Sequence, residues 1–351
     1  MYYIVGFAML IIAVWFLAMR MFPHSITLKE GLIMLAVQSI VIAAIIFGSL
    51  YGQGEDTQIL NGEVISKSKE TTFCEHSYSC NCRQSCSGSG KTRSCSTICN
   101  TCYEHTNDYN WVVKSNVGDV IIIRIDRQGS KEPPRWSAVK LGEPFSKEVS
   151  YYNYIKASPF SIFNKSTLDA DIPVPNYITV NDYYRASRVI PFNVPYSQEM
   201  FELNERLNDS LRKLGPEKKV NVVVIFHNNG SNFGETVKAK HLGGKINDVY
   251  VVIGLSENKF TSVEVFSWSK NSLVNVALRD ALLDINELSA IKLTTAIETN
   301  IKAHYTYRSI EEFKYLDAEV EVPTWAIWTV MIFGLIFPFG SAYVAHRYDI
   351  A

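Results

Sequence analysis

Apolar and polar positions are spread very unevenly along the 351 residues. Tyr2 to Met19 reads YYIVGFAMLIIAVWFLAM without a charge, and Leu32 to Leu50 interrupts its apolar run only with Gln38, Ser39 and Ser49. A third run, Thr324 to Val344, reads TWAIWTVMIFGLIFPFGSAYV. A helix crossing a hydrocarbon layer roughly 30 Å thick needs about 20 mostly apolar residues, so each run predicts a membrane span. Trp325, Trp328 and Tyr343 sit at the ends of the third run, where amphipathic rings favour the interface, and Pro338 predicts a kink. The first run lacks both a basic segment ahead of it and a small-x-small site before Arg20, so it reads as a span rather than a cleaved signal.

Between Tyr51 and Val322 the periodicity changes twice. Ile59 to Phe73 partly alternates, Trp111 to Lys114 resumes the alternation, and Val120 to Ile125 follows a Val117-Gly118-Asp119 turn. Trp136 to Leu141, after Pro133-Pro134, is a further strand candidate. Short strands with glycine turns suggest a small barrel or sandwich, with an open sheet as the alternative. The cysteine-rich segment 74–105 is then an excursion between two strands, and Tyr183 to Pro195 a connection.

From Ser197 the spacing becomes helical, with Met200, Leu203, Leu207 and Leu211 on one face and Gly215-Pro216 as a stop. An apolar strand, Val220 to Phe226, a short helix, Phe233 to His241, and a strand pair, Tyr250 to Leu255 and Ser262 to Trp268, follow. Helices are expected at Ser272 to Leu283, Leu288 to His304 and Ser309 to Leu316. An apolar strand must be covered on both faces, so helices should flank a small mixed sheet. The expected whole is an α+β membrane protein: a helical hairpin at 1–50, a β-rich domain at 51–195, an α/β domain at 196–322, and a third span with a short tail at 323–351.

Charge adds orientation. Of 34 basic and 35 acidic residues, only Arg20, Lys29, Glu30, Arg347 and Asp349 lie outside the middle block. No polycationic stretch exists, so nucleic acid is excluded as an expected partner. Basic residues in short flanks stay on the cytoplasmic side, which puts Arg20, Lys29 and Arg347 inside, and the amino terminus and the block outside. The spans carry no side chain charged at neutral pH, which ranks a channel or transporter component last.

All seven cysteines fall within 29 residues: Cys74, Cys80, Cys82, Cys86, Cys95, Cys99 and Cys102. Their surroundings are Ser, Thr, Asn and Gly, too polar to bury a core, so crosslinks must hold them. Disulfides suit an oxidising compartment and would pair six, leaving one. Zinc is the alternative cofactor, with Cys99, Cys102, His105 and His76 as ligands on the patterns Cys99-x-x-Cys102-x-x-His105 and Cys74-x-His76. A redox-active CxxC lacks the βαβ context it needs. Which cysteine pairs with which stays open, since six allow 15 connectivities. Gly88-Ser89-Gly90-Lys91-Thr92 imitates the end of a phosphate-binding loop, but Ser85 stands where that motif needs glycine.

The layout FELNERLNDSLRKLG, VNVVVIF, helix, strand pair and helical tail, over residues 196–305, resembles a TPM domain. Phe266 to Asn271 occupies the place of that family's glycine-rich run, and the phosphatase or metal-binding roles of some members transfer to no residue of this chain. CNTCYEHTNDYNWVV from Cys99, RIDRQGSKEPPRW from Arg124 and GEPFSKEVSYYNYIKASP from Gly142 resemble membrane proteins of large tailed bacteriophages. That resemblance implies a host inner membrane, with the block in the periplasm.

Candidate chemistry is sparse. His227 ends the apolar strand before Asn228-Asn229-Gly230, where α/β sites often lie, and Asp248, Glu264 and Asp280 are the carboxylates considered with it. A turn histidine among solvated carboxylates is the plainer expectation. Tyr151, Tyr152 and Tyr154, with Phe160 and Phe163, form either a contact surface or core. Sequons at Asn164, Asn208 and Asn229 matter only in a eukaryotic secretory pathway. The expected function is non-enzymatic binding of an envelope protein, or of a second copy, by a bilayer-anchored ectodomain. The alternative is a metal-dependent, phosphatase-like hydrolase on the α/β domain.

Overall fold

A computed structural model describes residues 2–21, 27–87, 94–159 and 172–348. The loop imitation at 88–92, Phe160, Phe163 and the Asn164 sequon lie outside them. In chain order the elements are α1 (Tyr2–Met21), α2 (Leu28–Gly54), β1 (Glu55–Thr72), β2 (Ser77–Ser87), β3 (Ser94–Tyr103), β4 (Asp108–Ser115), β5 (Gly118–Ile122), α3 (Pro134–Ser137), β6 (Pro144–Tyr152) and α4 (Tyr154–Ala157). Then come β7 (Val180–Asn181), β8 (Arg185–Ala186), β9 (Val189–Phe192), α5 (Gln198–Lys218), β10 (Asn221–His227), α6 (Phe233–Lys240), β11 (Asp248–Ser256), β12 (Lys259–Ser267), α7 (Leu273–Ile285), α8 (Ala290–His304), a 3-10 helix (Ile310–Glu319) and α9 (Thr324–Tyr348). The chain forms two compact units, one of Met1–Asp56, Ser150–Ser166 and Ser309–Ala351, the other of Thr57–Val149 and Thr167–Arg308.

In the first unit, α2 and the stretch Thr324–Val344 of α9 are long and apolar enough to cross a membrane. A capping box starts α2: Glu30 N donates to Thr27 Oγ1 at 3.3 Å, and Thr27 N donates to Glu30 Oε2 at 2.7 Å. Trp15 and Ala18 of α1 bury against Ala342 of α9, with Met34, Leu35 and Phe337 around them. The expected kink residue has a specific partner. Pro338 has no N–H to offer the carbonyl four residues back, which is Gly334. Gln38, fully buried on α2, fills that place by donating from Nε2 to Gly334 O at 3.1 Å, while its Oε1 accepts from Trp15 Nε1. One amide thus joins three helices, and α9 runs on through Pro338.

Tyr151, Tyr152 and Tyr154 are half-buried packing residues beside the end of α2. Tyr151 Oη and Asn153 Nδ2 donate to the buried Asp56 carboxylate at 3.3 and 2.8 Å, and the Tyr152 and Tyr154 rings meet at 5.0 Å. A Cβ on Gly54 would stand 2.3 Å from the Tyr152 ring, so glycine is required there.

The β-rich half of the second unit is an open antiparallel sheet in the order β5-β4-β1-β6, rather than a closed barrel or sandwich. Its core is Val64, Trp111, Val113, Ile122, Phe145 and Tyr184. The expected strand at Trp136 is instead the helical turn α3, because Pro134 occupies a first-turn position that suits its fixed φ. Trp136 still packs inward, its ring 4.7 Å from that of Trp111 and its Nε1 donating to Val112 O at 3.2 Å.

The second sheet has the order β12-β11-β10-β9, with β9, β10 and β11 parallel and β12 antiparallel. Every residue of β10 is buried. Val222, Val224 and Phe226 face α5, α7 and α8, while Val223 and Ile225 face Phe233 and Val237 of α6. Helices therefore cover both faces, as the apolar strand requires. The stretch 183–195, expected as a connection, supplies β9, whose Pro191 is tolerated because β9 is an edge strand. The helix α5 passes Gly215-Pro216 and ends at Lys218, and the expected helix from Ser309 is 3-10.

The two sheets share a buried polar hub. Arg188, 1 % exposed, donates through Nε to Asn208 Oδ1 at 2.7 Å, through Nη1 to Asn221 Oδ1, and through Nη2 to Asn61 Oδ1 and Ser146 Oγ. Its partners are amides and a hydroxyl, and burial pushes the guanidinium down to about 10.

Candidate functional site

The cysteine segment folds as a hairpin, β2 against β3, in a two-stranded sheet of its own. Such a ribbon is marginal in water without a packed face. Three nested disulfides hold it: Cys86–Cys95 and Cys82–Cys99, each with Cα atoms 4.0 Å apart, and Cys80–Cys102 at 5.8 Å. A register slip between Cys80 and Arg83 places Asn81 at φ +48°, a conformation asparagine tolerates better than most residues. Large apolar side chains stay in the open, with Tyr78 51 %, Ile98 48 % and Tyr103 58 % exposed, and Phe73 at the entrance 89 % exposed.

Six of the seven cysteines are thereby paired. Cys99 and Cys102, expected as alternative zinc ligands, lie in disulfides and have no thiolate to give. His76 is engaged by the Arg127 carbonyl, 3.0 Å from its Nε2. Cys74, counted among the disulfide candidates, is a buried free thiol.

Cys74 sits at the root of the hairpin, where the chain leaves β1, and His105 and Asp108 stand where it returns into β4. Cys74 Sγ lies 3.7 Å from His105 Nδ1, which lies 3.3 Å from Asp108 Oδ1. Asp108 is fully buried, and its Oδ2 accepts from Glu75 N at 3.0 Å and Arg124 Nη1 at 3.2 Å. Its Oδ1 has no hydrogen-bond donor. Burial works to raise this carboxyl, but the Glu75 amide, Cys74 and Arg124 hold it below the ordinary carboxylate range. The set is no nucleophilic triad, because one nitrogen faces both thiol and carboxylate, whereas base and orienting contacts need the two opposite ring nitrogens.

The α/β candidates do not assemble. The register pairs Asn221 with Asp248 and His227 with Gly254, so Asp248 and His227 lie at opposite ends of the sheet, about 20 Å of strand apart. His227 is a buried strand residue, not a turn histidine. Asn229 N donates to its Nδ1 at 3.1 Å, its Nε2 has no partner, and burial pushes the ring down to about 4. Asp248 is buried where Asn221 Nδ2 donates at 2.7 Å, Tyr177 Oη at 3.0 Å and Lys245 N at 2.9 Å, and burial pushes it up to about 6. Glu264 lies 3.7 Å from Lys238, and the exposed Asp280 pairs with its neighbour Arg279.

The grouping at Cys74, His105 and Asp108 was missed in the sequence because its members belong to different strand ends. His105 and Cys74 each enter a zinc pattern in the sequence, but separate patterns with other partners, and Asp108 enters neither. No protein-family model, curated protein or solved structure matches the chain.

Proposed function

We propose that this chain is a three-span membrane protein whose block from Tyr51 to Val322 lies on the oxidising side and works without catalysis. It presents the β2-β3 hairpin to an envelope protein or to a second copy of itself. The observation that carries this reading is a ribbon with no core of its own, held by three disulfides and carrying Tyr78, Ile98 and Tyr103 outward. A rigid ribbon loses little conformational entropy on binding, and exposed aromatic residues are the usual anchors of recognition surfaces.

The membrane part of the proposal rests on α1, α2 and α9, whose outward side chains, among them Phe16, Ile40, Phe47, Ile332 and Ile336, are exposed and apolar. Arg20, Lys29 and Arg347 on the short flanks favour a cytoplasmic loop and carboxy terminus. A phage-infected host's inner membrane, with the hairpin in the periplasm, fits the resemblance carried by residues 99–159.

The test places a photo-crosslinking residue at Tyr78 or Ile98 in the full-length protein in its membrane. A discrete adduct is expected, its mass separating an envelope protein from a second copy. The same yield from Ile291 on α8, or an adduct that forms undiminished when the disulfides are reduced before irradiation, overturns the reading.

A further inference from the structure

We infer that Cys74 Sγ, His105 Nδ1 and Asp108 Oδ1 form a zinc-class divalent cation site that clasps the root of the hairpin. The three donor atoms all lie within 4.8 Å of one another. In a tetrahedral zinc site, bonds of about 2.3 Å to sulfur and 2.0 Å to nitrogen or oxygen put sulfur and nitrogen about 3.5 Å apart, and nitrogen and oxygen about 3.3 Å apart. The observed separations are 3.7 and 3.3 Å, so these two edges fit an ion as they stand.

A second observation points the same way. Asp108 is fully buried, and Glu75 N and Arg124 Nη1 both donate to Oδ2, which leaves Oδ1 facing the histidine with no hydrogen bond. A buried acceptor left unmade costs about 1–3 kcal/mol, and a cation satisfies it. Glu75 N and Arg124 orient the carboxylate as outer partners orient metal ligands, and Glu75 Oε1, 3.6 Å from Arg124 Nη2, offsets the guanidinium charge. A thiolate with an imidazole selects zinc over magnesium or calcium, and the ion displaces the thiol proton to solvent. His105 is part-exposed, so water can take the fourth position. Because Cys74 precedes β2 and His105 follows β3, the ion would tie together the two strands that carry the hairpin.

The test uses the full-length protein in detergent without reductant, its three disulfides verified by intact mass. After equilibration with zinc and removal of excess, about one zinc per chain is expected. Cobalt in its place should give a sulfur-to-metal charge-transfer absorption, and zinc should shield Cys74 from alkylation. Cys74→Ser and, independently, the more exposed His105→Ala should each lower affinity at least about tenfold, while His76→Ala leaves it unchanged. A chain that retains no zinc, or binds it equally well in Cys74→Ser and His105→Ala with disulfides intact, overturns the inference.

Discussion

Within one compact unit, β10 and the hairpin β2-β3 differ in what holds them. Every residue of β10 is buried between two helical layers, whereas no side chain described in the hairpin is buried. The first is held by transfer of apolar surface from water and by close packing, the second by covalent closure of chain that has no interior. The consequence is functional as well as structural. A core-held layer spends its apolar side chains inward, while a disulfide-held ribbon can leave Tyr78, Ile98 and Tyr103 in solvent.

Substitutions should separate the two regimes. The largest effect is expected at Arg188, since Arg188→Met removes the guanidinium that donates to Asn208, Asn221, Asn61 and Ser146, leaving Asn61 Oδ1 with Ser146 Oγ and Asn221 Oδ1 with Asn61 Nδ2 as donors. Denaturant unfolding should show a loss of about 3–5 kcal/mol, with all three disulfides still formed. Next, Leu207→Ala, in the face of α5 against the sheet, should cost about 2–4 kcal/mol. Ile98→Ala, removing a side chain of the same size from the hairpin, should stay within about 0.5 kcal/mol. Equal costs at the two positions would erase the contrast.

The expected effect on pH dependence has a defined sign. The unfolded Asp248 carboxyl ionises near pH 4, whereas the folded one keeps its proton to about 6, so this residue makes stability fall as pH rises through that window. His227 acts oppositely. Its unfolded ring protonates near 6.5 and its folded ring only at about 4, so the stability it contributes at neutral pH is lost on acidification across that range. Relative to the unaltered chain, Asp248→Asn should tilt the stability profile upward with pH and His227→Gln downward, each by about 1–3 kcal/mol. Tilts of the same sign would contradict the separate burial of these two groups.

The layered α/β half was legible because its signals are periodic: the spacing of Met200, Leu203, Leu207 and Leu211, and an apolar run too short for a buried helix, require flanking helices. β9 was hidden by Pro191, which argues against a central strand but not against an edge. Trp136 was misplaced because a buried tryptophan reads alike in a strand and in a helical turn. The disulfide pairing leaves a trace in the sequence. Cys82 to Cys86 and Cys95 to Cys99 are each four residues apart around a Ser-Gly-Ser-Gly turn sequence, a near-mirror spacing that nested cross-strand pairs require. Gln38 and Pro338 could not be connected from sequence, since the carbonyl that proline frees and the amide that fills it are 296 residues apart.

The most direct test of the division between covalent and core support is backbone hydrogen exchange on the full-length protein before and after selective reduction of the disulfides. Reduction is expected to abolish protection across Ser77–Ser87 and Ser94–Tyr103, while amides of Asn221–His227 and Asp248–Ser256 keep theirs. A hairpin that stays protected when reduced, or a β10-β11 layer that loses protection with it, would contradict the account.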